Sequence, residues 1–468
     1  MPRAALIYAA FLLLPACFNP DGASPGGGSD STSDGTESAS TTGGPSTEGE
    51  ASNSSPTSSP TSSVDDSTSA PSTGDDSTAD AGTTEGSPLC GNGELEGDET
   101  CDDSDMIDGN GCNNDCQPSG RLLWLATFGD LDEDSGNGIV VDDAGDIYAV
   151  GTIFRAGIDD DVWLSRHSPD GAEAYSNLYD LAGNYERGED IAWHSTNDRL
   201  YVVGSTNSSD FPELLWFETD GSLAAEGSTD PVNINPSAMA ARGDDIYWVG
   251  SGSQNGLARL TGNGLDVDYS TTEAFPITGS FSPWLAVDVD ASGAAVLAGS
   301  SSTQGYIERR LPAGGALDWR TNGLPPVRGL AVAPNGELVV TGSVSVPGEG
   351  QNAFVARFSA DGDEELWTYD YNGDADLGDI GEAIAVHSSE QIVVAARSEQ
   401  ADNATAIAMI KLDADGNQLW LTIEQAEDGW SYPADVAVAS DGAISVVGSF
   451  FDPDGGGDAD IFVAHFAP

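Results

Sequence analysis

Seven times after residue 121 the chain runs through an apolar strand and closes it on a small residue: Gly151, Gly204, Gly250, Gly299, Gly342, Ala396 and Gly448. The spacings are roughly 43 to 54 residues. A period of that length built from short strands matches one four-stranded sheet per repeat, so the pattern predicts a β-propeller with one blade per repeat. Strand one of a repeat is an apolar run such as residues 138–142 or 329–333. A short turn leads to strand two, which ends on the small residue. A longer loop leads to strand three, as in residues 353–358, and a tight turn leads to strand four. The tight turns are Asp170-Gly171, Asp220-Gly221, Asn263-Gly264, Gly314-Gly315, Asp361-Gly362 and Asp415-Gly416. Asn-Gly and Asp-Gly tolerate positive φ at both central positions, which predicts two-residue hairpins. An aromatic follows in strand four at Tyr175, Tyr269, Trp319, Trp367 and Trp420.

The two ends of this region fit one scheme. Residues 122–124 are a fourth strand with no preceding three, and residues 461–466 are a third strand with no fourth. One blade is then shared between them, giving an all-β, seven-bladed propeller over 121–468 whose ring is closed. In repeat pattern this region resembles the bacterial seven-bladed β-propeller repeat family. The basic residues obey the repeat as well. Arg166, Arg259, Arg310, Arg357 and Lys411 stand four positions before the tight turn, with His465 in the last repeat and Trp216 in the second. A register that recurs around a whole ring predicts outward-facing strand positions that pair with neighbouring acids, not a ligand cluster.

Upstream of the propeller the chain is organised for export. Arg3 precedes an apolar run over residues 4–14, which is a signal peptide in length and charge and too short for a membrane span. The run ends Leu14-Pro15-Ala16-Cys17. This resembles a bacterial lipobox, which implies cleavage after residue 16, lipidation of Cys17 and, with Phe18 next, sorting to the outer membrane. Residues 17–89 are almost wholly Ser, Thr, Gly, Pro, Ala, Asp and Glu. Too little apolar surface can be buried there to offset ordering entropy, so the segment is expected to be a disordered tether spanning roughly 50 Å. Residues 90–116 hold Cys90, Cys101, Cys112 and Cys116. In an exported chain four clustered cysteines predict two disulfides, with three pairings open. The run Cys90-Gly-Asn-Gly, then Glu99-Thr-Cys101-Asp-Asp, then Asp108-Gly-Asn-Gly-Cys112 and Cys116 resembles the cysteine-rich repeat of myxobacterial surface proteins. That resemblance implies an exported, disulfide-stapled module.

Charge narrows the partners. The chain has 15 Lys and Arg against 78 Asp and Glu, a formal net charge of −63. Phosphate binding needs cations, so a nucleic-acid partner is excluded, and membrane association is expected only through the lipid anchor. Calcium is the one candidate cofactor. Asp130, Asp132 and Asp134 alternate in one loop, and Asp452, Asp454, Asp458 and Asp460 surround a Gly-rich turn in another. Both offer several hard oxygens on flexible backbone, though neither has the full twelve-residue EF-hand pattern. The acids of residues 159–161, and Asp102, Asp103, Asp105 and Asp108 in the cysteine-rich segment, are weaker candidates of the same kind. No nucleophile elbow, zinc-protease helix motif or sialidase box occurs, and no catalytic residue is assigned. The reading with most support is a surface protein, not an enzyme, whose loops bind an envelope or extracellular protein or a polysaccharide. The alternatives are an exported propeller hydrolase or lyase acting on polysaccharide, and a structural envelope protein. A deep ring-centre pocket with converging Asp, Arg and Tyr would favour an enzyme, and a shallow acidic rim would favour binding.

Overall fold

Each repeat becomes four antiparallel strands in chain order because its apolar runs are short, rich in Val, Ile and aromatic residues, and punctuated by turn residues. The computed structural model describes residues 90–468, apart from residues 98, 130–132, 156–159, 181–185, 207–212, 229–233, 261–266, 278–279, 402–403, 426–428 and 452–457. The signal peptide, Cys17, the tether, Asp130, Asp132, Asp452 and Asp454 therefore lie outside the described residues. Strand one of blades one to seven spans Ser135–Val141, Glu186–His194, Ile234–Arg242, Trp284–Val289, Val327–Val332, Asp379–Val386 and Trp430–Val438. Blades one to five are separate four-stranded sheets, while blades six and seven are joined by one parallel bridge, Thr405 to Trp430. Strand four of blade seven is Leu122–Phe128, which pairs with Ala459–Phe466 and closes the ring.

The break in that last blade is healed by hydrogen bonds. In blade one, Ser168 N–H donates to the Ala172 carbonyl at 3.0 Å across the tight turn. In blade seven, Ala467 N–H donates to the Arg121 carbonyl at 2.9 Å, and Gly120 N–H to the Pro468 carbonyl at 3.1 Å. Two distant segments thus reproduce a turn. The core lies between blades: strand three of blade six (Thr405–Leu412) is buried along its whole length, while strand four of blade seven alternates half-buried and exposed. Residues 274–283 form the longest inter-strand loop, but residues 253–254 and 325–326 are as short as any turn. The strand-two-to-three and blade-to-blade loops are therefore uneven in length.

The repeated small residue has a specific cause. It sits opposite a β-bulge near the start of strand one, as with Gly151 facing Gly136 before the shift to Gly138. A Cβ on Gly151, Gly204, Gly250, Gly299, Gly342 or Gly448 would overlap the carbonyl oxygen of Ser135, Arg187, Asn235, Pro283, Pro326 or Tyr432. Glycine is thus required by close backbone approach, not by φ. Ala396 takes the place in blade six, where the bulge between Gly381 and Ala383 is kept.

Two sequence expectations need correction. The described tight turns are not two-residue hairpins, and Asn263-Gly264 lies outside the described residues. Only the glycines are left-handed, with φ of 83° at Gly171, 84° at Gly221, 70° at Gly362 and 83° at Gly416. Gly171 N–H donates to the Ser168 carbonyl at 2.9 Å, and a bulge follows between Arg166 and His167. The aspartate keeps an ordinary φ because its carboxylate is held locally, as by Ser222 N–H on Asp220 at 2.9 Å and the Ser359 hydroxyl on Asp361 at 2.6 Å. Each such glycine then lies under the strand-four aromatic of the preceding blade: Gly171 under Trp124, Gly221 under Tyr175, Gly362 under Trp319 and Gly416 under Trp367.

The second correction concerns the cations. Arg166, Arg259, Arg357, Lys411 and His465 do share one register, opposite Tyr175, Tyr269, Trp367, Trp420 and Trp124. In blade four that place belongs to Arg309, opposite Trp319, because the extra residue of the turn from Leu311 to Ala316 precedes Gly315, whereas in the equally long turn from Ser359 to Glu364 it follows Gly362. Arg310 falls on the other face, buried with Glu308, Arg320 and Glu273. Pairing with acids is as expected: Arg166 with Asp146 at 2.5 Å, Arg309 with Asp290 at 2.7 Å, and Arg357 with Glu337 at 2.6 Å. Outward-facing is wrong for Arg357, whose side chain is only 2% exposed. It reaches into blade six, to the Ala414 carbonyl at 2.9 Å and Glu390 at 2.8 Å. These cations staple neighbouring blades.

The cysteine-rich module before the propeller has almost no ladder. Its one isolated bridge joins Cys112 to Pro118, and one disulfide, Cys101–Cys112, staples it. Its backbone amides are satisfied by carboxylates instead. Asp102 accepts from Gly91, Asn92, Gly93 and Ser104 N–H, Asp103 from Cys112 N–H, and Asp108 from Asn114 N–H. These amides hold the Asp102 carboxyl below its ordinary range, the Ser104 amide most of all. The module's acids thus serve as struts.

Candidate functional site

The bulge in strand one has a consequence at the centre of the ring. In each blade the residue skipped by the register shift is set apart from the ladder: Asn137, Glu189, Ser237, Leu285, Arg328, Glu382 and Ala434. All seven line one central cavity of about 230 Å³. The bulges lie near the start of strand one, so this mouth opens on the side of the blade-to-blade loops. None of the seven was singled out from the sequence. A signal existed, since each stands 13 to 15 residues before the small residue of its repeat, but only the structure shows that a bulge lies there.

The mouth is electrostatically uneven. On one side Arg328 pairs with Glu382 at 2.9 Å, and Arg397 approaches the same carboxylate at 3.8 Å. Across the ring, Glu189 accepts from the Ser205 hydroxyl at 2.7 Å, and burial pushes its carboxyl above the ordinary range. Asn137 donates to the Gly188 carbonyl at 2.7 Å and Ser237 to the Trp284 carbonyl at 2.7 Å, both in the following blade.

Deeper carboxylates are already spent on structure. Asp190 accepts from Ile191 N–H at 2.7 Å and from Met239 N–H of blade three at 2.6 Å. Asp435 accepts from Val436 N–H at 2.8 Å and from Ile139 N–H of blade one at 2.9 Å. Asp288 does the same between blades four and five, through Val289 and Val332 N–H at 2.6 and 2.7 Å. Burial raises all three carboxyls, Asp435 to about 6, and the neighbouring Asp435 charge raises Asp190 further. With both oxygens engaged by amides, they are clamps between blades and are poorly placed for acid–base chemistry. The cavity combines Asp and Arg as an enzyme pocket would, yet among the described residues no tyrosine lines it.

The calcium candidates meet in part. Asp134 and Asp460 both border Gly129, where strand four of blade seven ends, and Asp458 raises the Asp460 carboxyl, after burial. Asp134 is itself buried and accepts from Phe154 N–H at 2.7 Å. A second acidic group, Asp161, Asp180 and Glu186, has carboxylate oxygens within 4.8 Å of one another, and Arg155 already pairs with Asp161. Of the histidines, His167, His194 and His465 are buried, and burial lowers the proton affinity of His167 and His465.

No protein-family model and no curated protein matches the chain. Solved structures do. The WD40 repeats of RRP9 superpose with a TM-score of 0.51 at 9% identity, over 74% of this chain and 99% of that one. The structure of U3-55K gives a TM-score of 0.50 at 10% identity, over 74% and 99%. At such identity the likeness speaks to fold alone, and the chain is similar to these proteins as a WD40-like seven-bladed β-propeller.

Proposed function

We propose that the chain is a non-catalytic binding protein, exported and held at the cell surface through lipidated Cys17, whose channel-mouth face engages an envelope or extracellular protein or a polysaccharide. One observation carries this reading. The inter-blade staples repeat around the ring, whereas the seven mouth residues (Asn, Glu, Ser, Leu, Arg, Glu and Ala) do not. A rigid ring that presents a non-repeating set of side chains suits recognition of an asymmetric partner. The Cys101–Cys112 disulfide supports an oxidising compartment. Calcium held by Asp134, Asp458 and Asp460 would brace the seam beside the mouth.

The test is a pull-down with the full chain, made in an oxidising host, from envelope and matrix extracts with calcium or with chelator. The expected result is a retained partner that is lost when Glu189→Lys and Arg328→Glu are combined. Release by chelator would support the calcium site. A partner indifferent to the mouth substitutions, or none at all, would overturn the reading and favour a structural envelope role. A second reading, hydrolysis or lysis of a polysaccharide, draws on Glu189, whose raised proton affinity suits a general acid. Release of new chain ends from polysaccharide, abolished by Glu189→Gln, would establish it.

A further inference from the structure

Two cysteines of the module, Cys90 and Cys116, are outside the Cys101–Cys112 disulfide, and both are half-buried. They are held against one another. The Asn113 carbonyl accepts from Cys90 Sγ at 3.3 Å and from Cys116 N–H at 2.8 Å. Both cysteines are thus anchored on one residue, and Cys116 Sγ also donates to Glu99 at 3.5 Å.

The same asparagine leads to the propeller. Its side-chain oxygen accepts from Gly109 N–H at 2.8 Å, while Asp108 is gripped by Asn114 N–H at 2.6 Å. Gly109 lies directly against Lys411 Nζ, so closely that a Cβ there would overlap it. Lys411 is the only lysine in the chain. It is 1% exposed and its ammonium has no hydrogen-bond partner. Its counterparts Arg166, Arg259 and Arg357 pair with an acid at the entry to strand two of their own blade, but blade six has Gln391 there. The module's Asp108 supplies the nearby negative charge instead, and the Trp420 ring lies 5.9 Å from Nζ.

We propose that Cys90 and Cys116 form a second, reducible disulfide, and that this bond locks the module as a cap over Lys411. The step is thiol–disulfide exchange with a disulfide oxidant. One thiolate attacks the oxidant, releasing one thiol and forming a mixed disulfide. The second cysteine then displaces the other half, so two protein thiols and one oxidant disulfide give one protein disulfide and two small thiols. The Cys116 thiol is pushed up to about 12, first by its neighbour Cys90, then by burial and by Glu99. Glu99 then receives the Cys116 proton as the second bond forms. Cys112 is buried and Cys90 and Cys116 are not, so reductant opens the second disulfide first.

The single lysine makes the test site-specific. The full chain is oxidised with glutathione disulfide, titrated with reductant, and treated with an amine-acylating reagent. Peptide mass spectrometry then reads both disulfides and Lys411. The expected result is a Cys90–Cys116 crosslink that opens before Cys101–Cys112, with Lys411 acylation rising at least about tenfold as it opens, as a closed local structure yields to an open one. The double variant Cys90→Ser with Cys116→Ser should acylate as fast as the reduced protein while its propeller melts normally. Free thiols at Cys90 and Cys116 after oxidation would overturn the disulfide. An acylation rate unchanged by reduction and by the double variant would overturn the cap.

Discussion

The propeller and the cysteine-rich module belong to one compact unit but satisfy their backbones in opposite ways. Propeller amides are spent in strand ladders, and the side chains between blades are apolar, as in the cluster of Val339, Val355, Ile392, Val394 and Ile410. Module amides are spent on aspartate and asparagine oxygens, with Leu95, Met106 and Ile107 left exposed. Folding the module buries little apolar surface, so its order rests on local hydrogen bonds and covalent closure. Acidic residues are therefore not interchangeable in this chain. In the module they are struts, and at Asp190, Asp288 and Asp435 they are clamps between blades.

The comparison would break most visibly at the disulfide. Cys101→Ser should cost the module about 3 kcal/mol, a typical value for closing a short loop, and this is enough to unfold so small a segment. Hydrogen exchange should then show fast amides over residues 90–119, with strands two and three of every blade still protected. Loss of propeller protection as well would mean that the two regions do not differ as argued. Next in size, Arg357→Ala strands Glu337 and Glu390 between blades and should destabilise the propeller by about 3 kcal/mol in denaturant titration. Gly342→Ala should cost about 2 kcal/mol, because the new methyl meets the Pro326 carbonyl and the bulge has to shift. Ala396→Gly, at the equivalent place, should cost under about 1 kcal/mol in the same assay.

The smallest effect concerns pH. Burial raises Asp435 to about 6. In the unfolded chain it titrates at the ordinary aspartate value, so the folded protein holds extra protons between that value and about 6. The stabilisation from this group is present in acid and is lost as pH rises through about 6. Melting temperature should be higher near about pH 5 than about pH 8, and the difference should shrink in Asp435→Asn. An unchanged difference would assign the pH dependence to repulsion across the whole acidic surface.

Much of the propeller was legible because its signals are periodic. The repeat glycine, the apolar runs and the orphan strand at 122–124 each follow from local chemistry, and each is where the sequence placed it. The Arg310 expectation failed because one extra turn residue moves a whole strand face, which a count along the chain cannot detect. The tight turns were misjudged because aspartate side-chain bonds, not permissive φ alone, select the turn type. The channel mouth was legible only as a spacing before the repeat glycine, not as a site. Asn137, Leu285 and Ala434 share no chemistry, and nothing in their residue types marks them as neighbours.

The sequence alone determined the number of blades, the order of strands, the closure of the ring by two distant segments and the presence of a disulfide-bearing module. These depend on period, hydrophobic alternation and residue type, which are local properties. Tertiary structure decided which carboxylates are spent, which cation leaves the shared register, how Asn113 joins the thiol pair to Lys411, and which seven residues meet at the centre. Those outcomes depend on register shifts and on packing between segments far apart in the chain, and a single bulge or one added turn residue changes them while leaving the sequence pattern intact.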